Sequence, residues 1–386
     1  MNILHLTHTD VRVDSRILKE LGALDDAKKY TLHAIGVAEH GAKGGVDTRH
    51  STMVVSIRLF CRSIRWLPKA LRHVLIYVEM FLRILVKGIS VRPELIHCHD
   101  TPLLPVAVLL AWLFNGQVIY DAHELESNKN GQSVLMSRAT YFLEKALWGS
   151  VDGFVTVSRS ILVWYQSQFS QKDSALVFNS PLIEARTSSS QQSVRRFHEL
   201  YNIPDECLVF VYLGLFVPGR GIETLLKAFA EPEITSHIVF VGRGALGEMI
   251  EQHARMSSRV HIHQSVPHDQ VVSLVSSADY GLCLIENVSL SDYYSLPNKL
   301  FEYAFAGVPI LASDFPDMKD LIERFDLGTV TASDEVSIRL AVLGLQSLGQ
   351  QRIDKDLSSL GWEAQAEKLR ALYRRVLIVK PQNNVH

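Results

Sequence analysis

The chain has 386 residues, about twice the usual size of one compact domain, so two domains are expected, each with its own core. A hydrophobic share of 47% beside 21% charged residues excludes a chain too polar to fold, and a formal net charge of -2 excludes an overall basic field for nucleic acid. Cys61, Cys98, Cys207 and Cys283 stand far apart with no Cys-x-x-Cys pair, which argues for a reducing compartment and against a zinc site or a disulfide framework.

Short apolar runs alternate with amphipathic stretches of helical length along the chain, the pattern of parallel sheets wrapped by helices. The first run, Ile3 to Leu6, reads as a strand and not as a signal peptide. Further strands are expected over Thr31 to Val37, Met53 to Ile57, Leu95 to His97, Val118 to Asp121, Gly153 to Val157 and Ala175 to Phe178. Pro102 to Phe114 is shorter than the roughly 20 residues that span a bilayer and reads as a core helix. Glu184 to Gln192, with its run of Thr187, Ser188, Ser189 and Ser190, is too polar for a core and suits a linker. A second parallel sheet is expected from Leu208 to Leu213, His237 to Val241, Val260 to His263, Tyr280 to Leu284, Pro309 to Ala312 and Gly328 to Val330. The fold class is therefore α/β, with two doubly wound parallel-sheet domains. The boundaries expected are 1–183 for the first domain, 184–206 for linker and entry, and 207–361 for the second. Residues 362–386 form a last amphipathic helix, through Trp362, Leu369 and Tyr373, that returns to the first domain.

Between Gly214 and Gly221 a strand passes into a helix through a glycine-rich turn that carries Arg220. Glycines let the backbone approach a phosphate, free helix amides point at it, and Arg220 adds a cation with planar donors; the alternative is an ordinary connection with a surface arginine. In Pro297-Asn298-Lys299-Leu300-Phe301-Glu302, Pro297 opens a helix that Gly307 ends. Lys299 then sits in the first turn beside free amides, a poor place for a cation unless an anion shares the site. Glu302 lies one turn on, where it can reach sugar hydroxyls, or pair with Lys299 at the surface.

These segments resemble glycosyltransferase family 4, which has the GT-B fold, and the resemblance covers nearly the whole chain. It implies a central cleft between two Rossmann-like domains. It also implies a donor site with Gly214, Gly219, Gly242, Asn298 and Lys299, with Arg220 and Lys299 on the diphosphate and Glu302 on the ribose. Tyr120-Asp121-Ala122-His123-Glu124 is similar to the family's first domain, where a histidine at the position of His123 faces the donor sugar across the cleft. Asp10, Arg12, Asp14 and Arg16 resemble an acceptor-facing element; helix capping and surface charge are the other explanation. Tyr294 stands where the family's first glutamate would be, and Leu215 where many members carry arginine. The resemblance implies a metal-independent, retaining enzyme without cofactor, using a UDP- or GDP-linked sugar and a lipid-linked or oligosaccharide acceptor in surface polysaccharide assembly. No Asp-x-Asp motif stands in a strand-end loop, where it could offer a divalent metal site. The rivals are a nucleotide-sugar epimerase of the same fold and an inactive nucleotide-binding protein.

From Arg58 to Lys87 basic residues recur at steps of three and four, with Arg58, Arg62, Arg65, Lys69 and Arg72 leading. They read as one face of a helix, or of two helices hinged at Pro68, beside apolar residues. Such a surface suits the anionic inner face of a cell membrane and a peripheral cytoplasmic location; a solvated helix over a core is the alternative.

Overall fold

The computed structural model describes residues 1–25, 29–49, 51–64, 66–182 and 195–378. It divides into two compact units, Met1–Val177 with the C-terminal segment from Gln365, and Phe178–Ala364. The serine-rich segment expected as a linker lies outside the described residues, as does Arg65.

The first unit runs β1 (Asn2–Leu6), α1 (Ser15–Ala23), β2 (Thr31–Val37), β3 (Gly45–Arg49), β4 (Thr52–Ile57), α2 (Lys69–Val91) and β5 (Leu95–His99). It continues with α3 (Leu104–Phe114), β6 (Gln117–Ala122), α4 (Val134–Leu147), β7 (Gly153–Thr156), α5 (Arg159–Gln168) and β8 (Asp173–Leu176). Its eight strands lie in the order β3-β4-β2-β1-β5-β6-β7-β8, parallel except for the β3–β4 hairpin at the edge. That hairpin was not expected from the sequence, because Gly45–Arg49 is polar and exposed on most positions and shows no apolar alternation. β8 also starts and ends two residues earlier than the apolar run Ala175 to Phe178 indicates.

The second unit runs α6 (Arg196–Tyr201), β9 (Val209–Leu215), α7 (Ile222–Ala230), β10 (His237–Arg243), α8 (Gly247–Met256), β11 (Val260–His263) and α9 (His268–Val275). β12 (Tyr280–Cys283), α10 (Leu290–Tyr293), α11 (Asn298–Phe305), β13 (Ile310–Ser313), α12 (Pro316–Phe325), β14 (Gly328–Thr331) and α13 (Glu335–Leu348) follow. The six strands order β11-β10-β9-β12-β13-β14, all parallel. Successive side chains of a strand point to opposite faces. Val209, Val211, Val239 and Val241 therefore join one core with Leu300 and Tyr303, while Phe210, Tyr212, Ile238 and Phe240 join another with Leu225 and Phe229.

The last helix, α14 (Trp362–Ile378), leaves the second unit at its start and docks on the first from Gln365 onward. Gln117 Nε2 donates to Val376 O at 2.6 Å, and Arg370 Nη1 donates to Ala23 O at 3.1 Å. In each sheet the strand order reverses beside the first strand of its unit, between β1 and β5 and between β9 and β12. Ligands of open α/β sheets bind at the carboxyl ends of the strands at such a reversal.

Candidate functional site

Arg220 and Lys299 both lie at the reversal of the second sheet. Gly221, with φ of 71°, is the N-cap of α7 and has no side-chain capping bond, and a Cβ there would meet Leu284 O at 2.9 Å. Pro297 caps α11 and likewise offers no side-chain bond. Two helix N-termini thus keep their leading amides free of side-chain caps, the usual makings of an anion site. Gly214 and Gly242 face each other in the β9–β10 register, and a Cβ on Gly242 would stand 1.9 Å from Gly214 O. Gly219 accepts a hydrogen bond on its carbonyl from Glu286 N at 3.0 Å, which ties the β9 turn to the loop after β12.

Lys299 is 9% exposed, and its Nζ stands 4.1 Å from the centre of the Tyr212 ring. Burial pushes its pKa down, repulsion from Arg220 lowers it further, and Cys283 and Glu302 pull the other way. The two cations therefore share one neighbourhood, and together they draw down the pKa of the Cys283 thiol that burial raises. Arg220 is held by Asp292, Nη1 to Oδ1 at 3.3 Å. Asp292 is buried and escaped sequence reasoning; its trace is the spacing Ser289-x-x-Asp292, where the Ser289 hydroxyl donates to Asp292 Oδ2 at 2.7 Å and caps α10. Glu302 is buried, with His268 Nδ1 at 3.5 Å from Oε1, while Asn298 is exposed at the helix start.

At the reversal of the first sheet, His123 follows β6 and is 23% exposed. Its Nε2 lies 3.2 Å from Asp121 Oδ2, its Nδ1 lies 3.7 Å from Asp100 Oδ2, and its backbone N–H donates to Asp100 Oδ1 at 3.3 Å. Burial opposes the charge on the ring, but the carboxylates of Asp100 and Asp121 outweigh it and lift the pKa to about 9. Asp100, which follows β5, has φ of 62°, a strained value for a residue other than glycine. Its carboxyl is held below the usual range because His123, Lys129 and His8 outweigh burial.

Each of the four residues expected to face an acceptor has a partner within the first unit. Arg16 is 4% exposed and points inward, with Nη2 at 3.0 Å from both oxygens of Asp121 and Nε at 3.0 Å from Glu20 Oε1. Asp14 is the N-cap of α1 and accepts from Ile17 N. Asp10 is buried, held by Arg12 Nε at 2.9 Å and by the Ser56 hydroxyl at 2.7 Å, contacts that keep its carboxyl below the usual range. Asp10 and Asp14 also line a concavity with His8, Thr9 and Arg62.

The basic stripe is also corrected. Arg58 follows β4 and Arg62 sits in a 3-10 turn, Cys61–Ser63, with Nη1 donating to Ala38 O at 2.8 Å. Lys69 and Arg72 lie on a helix, in the first turn of α2 after Pro68. What α2 carries instead is an apolar stripe: Leu71, Val74, Val78, Leu82, Val86 and Ile89 are exposed by 43 to 66%, opposite the buried Met80, Ile84 and Gly88. Lys69, Arg72, Arg83 and Lys87 fall along one edge of that stripe at helical spacing.

Sequence reasoning missed His5, His97 and His99, all fully buried beneath His123. With Glu20 they place donor atoms within 4.8 Å of one another. A metal does not suit them, because the lone pair of an imidazole lies in its ring plane and the stacked rings of His97 and His99 are only 12° apart in plane, so the two cannot aim at one ion. His99, Asp121 and His123 also cluster, but both Asp121 oxygens are engaged by the fixed charge of Arg16, which opposes a cation there.

Residues 207–347 match the family model described as glycosyl transferases group 1. Sucrose-phosphate synthase from Thermosynechococcus elongatus superposes with a TM-score of 0.77 at 17% identity, covering 98% of this chain and all of that one. HepE from Anabaena, solved with UDP-glucose, gives 0.67 at 12% identity over 98% of this chain and 99% of its own. A chitobiosyldiphosphodolichol beta-mannosyltransferase of Candida albicans is 23% identical over 60% of this chain and 55% of its own length, so the chain spans about half of that relative. The fold is GT-B, built from two Rossmann-like domains. The family model spans part of the second unit, and the likeness to these solved structures lies in the fold.

Proposed function

We propose that this chain is a retaining, metal-independent glycosyltransferase of family 4 that moves a sugar from a nucleotide diphosphate carrier to a lipid-linked glycan in cell-surface polysaccharide assembly. The observation that carries this is the pairing of Arg220 with the buried Lys299 beside two helix N-termini without side-chain caps. A cation buried at the positive end of a helix and repelled by a second cation is a local misfit, and a diphosphate placed there removes it. As the sugar bond breaks, charge builds on the departing diphosphate, and fixed donors aimed at it lower the barrier. Asp292 keeps the guanidinium of Arg220 in place for that task. Glu302 is the residue for the ribose, and Gly214, Gly219 and Gly242, all at positive φ, shape the backbone beside the donor. His123, charged at neutral pH, serves the sugar as an N–H donor.

Support for a UDP donor comes from HepE, solved with UDP and with UDP-glucose, and support for a lipid-linked acceptor from the diphosphodolichol in the mannosyltransferase's name. WaaG, described as a glycosyltransferase involved in lipopolysaccharide biosynthesis, has a TM-score of 0.63 at 13% identity over 98% of this chain and 99% of its own, and favours the polysaccharide role. No helix among the described residues is long and apolar enough to cross a membrane. The exposed stripe of α2 with its basic edge fits instead a helix lying in the plane of an anionic bilayer, the inner face of the cell membrane in this proposal.

The test is a panel of UDP- and GDP-sugars assayed for nucleoside diphosphate release with and without lipid-linked acceptor. Release that rises with acceptor for one donor supports transfer. Conversion of the donor sugar without acceptor would instead establish an epimerase, and binding without turnover an inactive nucleotide-binding protein.

A further inference from the structure

The histidines beneath His123 form a single hydrogen-bonded path. Tyr373 on α14 is buried, and its hydroxyl lies 2.6 Å from His97 Nδ1 and 3.3 Å from His5 Nε2. His5 Nδ1 lies 3.1 Å from His99 Nε2, and His99 Nδ1 lies 3.2 Å from His123 Nε2. The path therefore runs from β5 through the C-terminal helix and β1 to His123 without a break.

A neutral imidazole has one N–H and one bare nitrogen, so a proton fixed at one end of such a path orders every ring along it. The inner end is fixed by charge. His97 Nε2 faces Asp121 Oδ2 at 3.6 Å and Glu20 Oε2 at 3.8 Å. Asp121 is ionised, since Arg16 and His123 outweigh the effect of its burial. A bare nitrogen there would set lone pair against lone pair, so His97 carries its proton on Nε2. Its Nδ1 is then bare and accepts from the Tyr373 hydroxyl. The tyrosine oxygen in turn accepts from His5 Nε2, which leaves His5 Nδ1 bare to accept from His99 Nε2. His99 Nδ1 is bare in consequence: it also stands 3.4 Å from Asp121 Oδ2, and the Nε2 hydrogen of the charged His123, 3.2 Å from each of these two acceptors, lies between them.

We propose that Tyr373, His97, His5 and His99 are positioning residues that lock His123 as a doubly protonated ring, its Nε2 hydrogen held inside and its Nδ1 hydrogen offered outward beside Asp100. The significance of this order rests on the transferase role given to His123, but the order itself belongs to the ligand-free protein. The charged and titratable groups facing His123 are Asp100 from the end of β5, Asp121 from β6, Arg16 and Glu20 from α1, and His99 from β5, with His8 from the loop after β1. A helix from the far end of the chain thereby sets the proton inventory of a residue after β6.

The experiment is nitrogen NMR of the full chain with labelled histidine, without ligand. His5, His97 and His99 are expected in the Nε2–H form, with His123 doubly protonated at pH 7. Tyr373→Phe removes both bonds of the hydroxyl, frees His5 and His99 to reverse, and points a proton at His123. The midpoint of His123 is then expected to fall by about one pH unit, the worth of one hydrogen bond. An Nδ1–H form at any of the three rings in the wild type overturns the proposal, and so does an unmoved His123 midpoint in a folded Tyr373→Phe. If that variant does not fold, the wild-type forms decide alone. Disordered ring forms with full acceptor-dependent transfer would sink the path and leave the transferase standing; ordered forms without transfer would do the reverse.

Discussion

Replacing Lys299 by methionine separates a functional cation from a structural one, because the two assign opposite signs to stability and binding. Methionine keeps the length of the side chain over Tyr212 and removes the charge. The lowered pKa of Lys299 means that its surroundings in the free protein disfavour the ammonium: burial and the repulsion of Arg220 exceed the pull of Cys283 and Glu302. The helix end adds about 0.3 to 1 kcal/mol against the charge. Lys299→Met should therefore leave the ligand-free protein as stable as the wild type or stabilise it by up to ~1 kcal/mol. Binding should move the other way. Loss of a bond to a charged group is worth about 1.5 to 3 kcal/mol, which weakens a nucleoside diphosphate by roughly tenfold to a hundredfold. At a UDP concentration 100 times the wild-type dissociation constant, the wild type gains about 2.7 kcal/mol, whereas a variant ten times weaker gains about 1.4 kcal/mol. Thermal unfolding with and without UDP reads both effects. A Lys299→Met protein that is less stable alone, yet stabilised by UDP as fully as the wild type, would refute the reasoning.

Asp292→Asn should loosen Arg220 and lower kcat by about tenfold, with a further fall in Arg220→Ala, as steady-state kinetics on an acceptor would record. His123 has a raised pKa of about 9, so its contribution to stability is complete below the ordinary value near 6.5 and is lost as pH rises through about 9. That contribution is at most about 3 kcal/mol, so unfolding from pH 6.5 to 9.5 should cost the wild type more stability than His123→Gln. Val78→Ser with Leu82→Ser on the exposed face of α2 should reduce binding to vesicles of anionic lipid by tenfold or more, since each side chain is worth about 1.5 kcal/mol when buried. Sedimentation with vesicles reads this, and unchanged binding would assign the stripe to another partner. Gly242→Ala sets a methyl against the Gly214 carbonyl at a φ of 153° and should cost about 3 kcal/mol, seen as a lowered midpoint in urea.

The two sheets were legible because each buried strand announces itself by a short apolar run, and the order of runs and helical stretches admits few topologies. The same rule hides β3, whose residues are polar and whose pairing is fixed by β4 and not by burial. Lys299 drew notice for a different reason: a cation in the first turn of a helix breaks a local preference, and such a break is visible within a few residues of sequence, whereas Arg220 was singled out by the glycines around it. The histidine path left no such trace. His5, His97 and Tyr373 come together from positions far apart in the chain, so nothing in any one segment looks wrong.

The stripe of α2 shows where periodicity stops. Steps of three and four between Arg58 and Arg72 cross a strand end, a 3-10 turn and a helix start, so the regular spacing of the first charges has no common axis. Within α2 the period is real, but a helix apolar on two sides does not declare which side meets the sheet. The structure decides: Met80, Ile84 and Gly88 face inward, with Gly88 placed where a Cβ would meet Leu110 at 2.5 Å, and the other apolar side is left to solvent. An exposed stripe of six large apolar residues is costly for a protein that stays in water, and a row of lysines and arginines along its edge adds nothing to a core. Both features become favourable together at a surface that is apolar inside and negative outside, and this is what supports the proposed membrane role of α2, although Arg58 and Arg62, among the charges that first drew notice, lie off the helix.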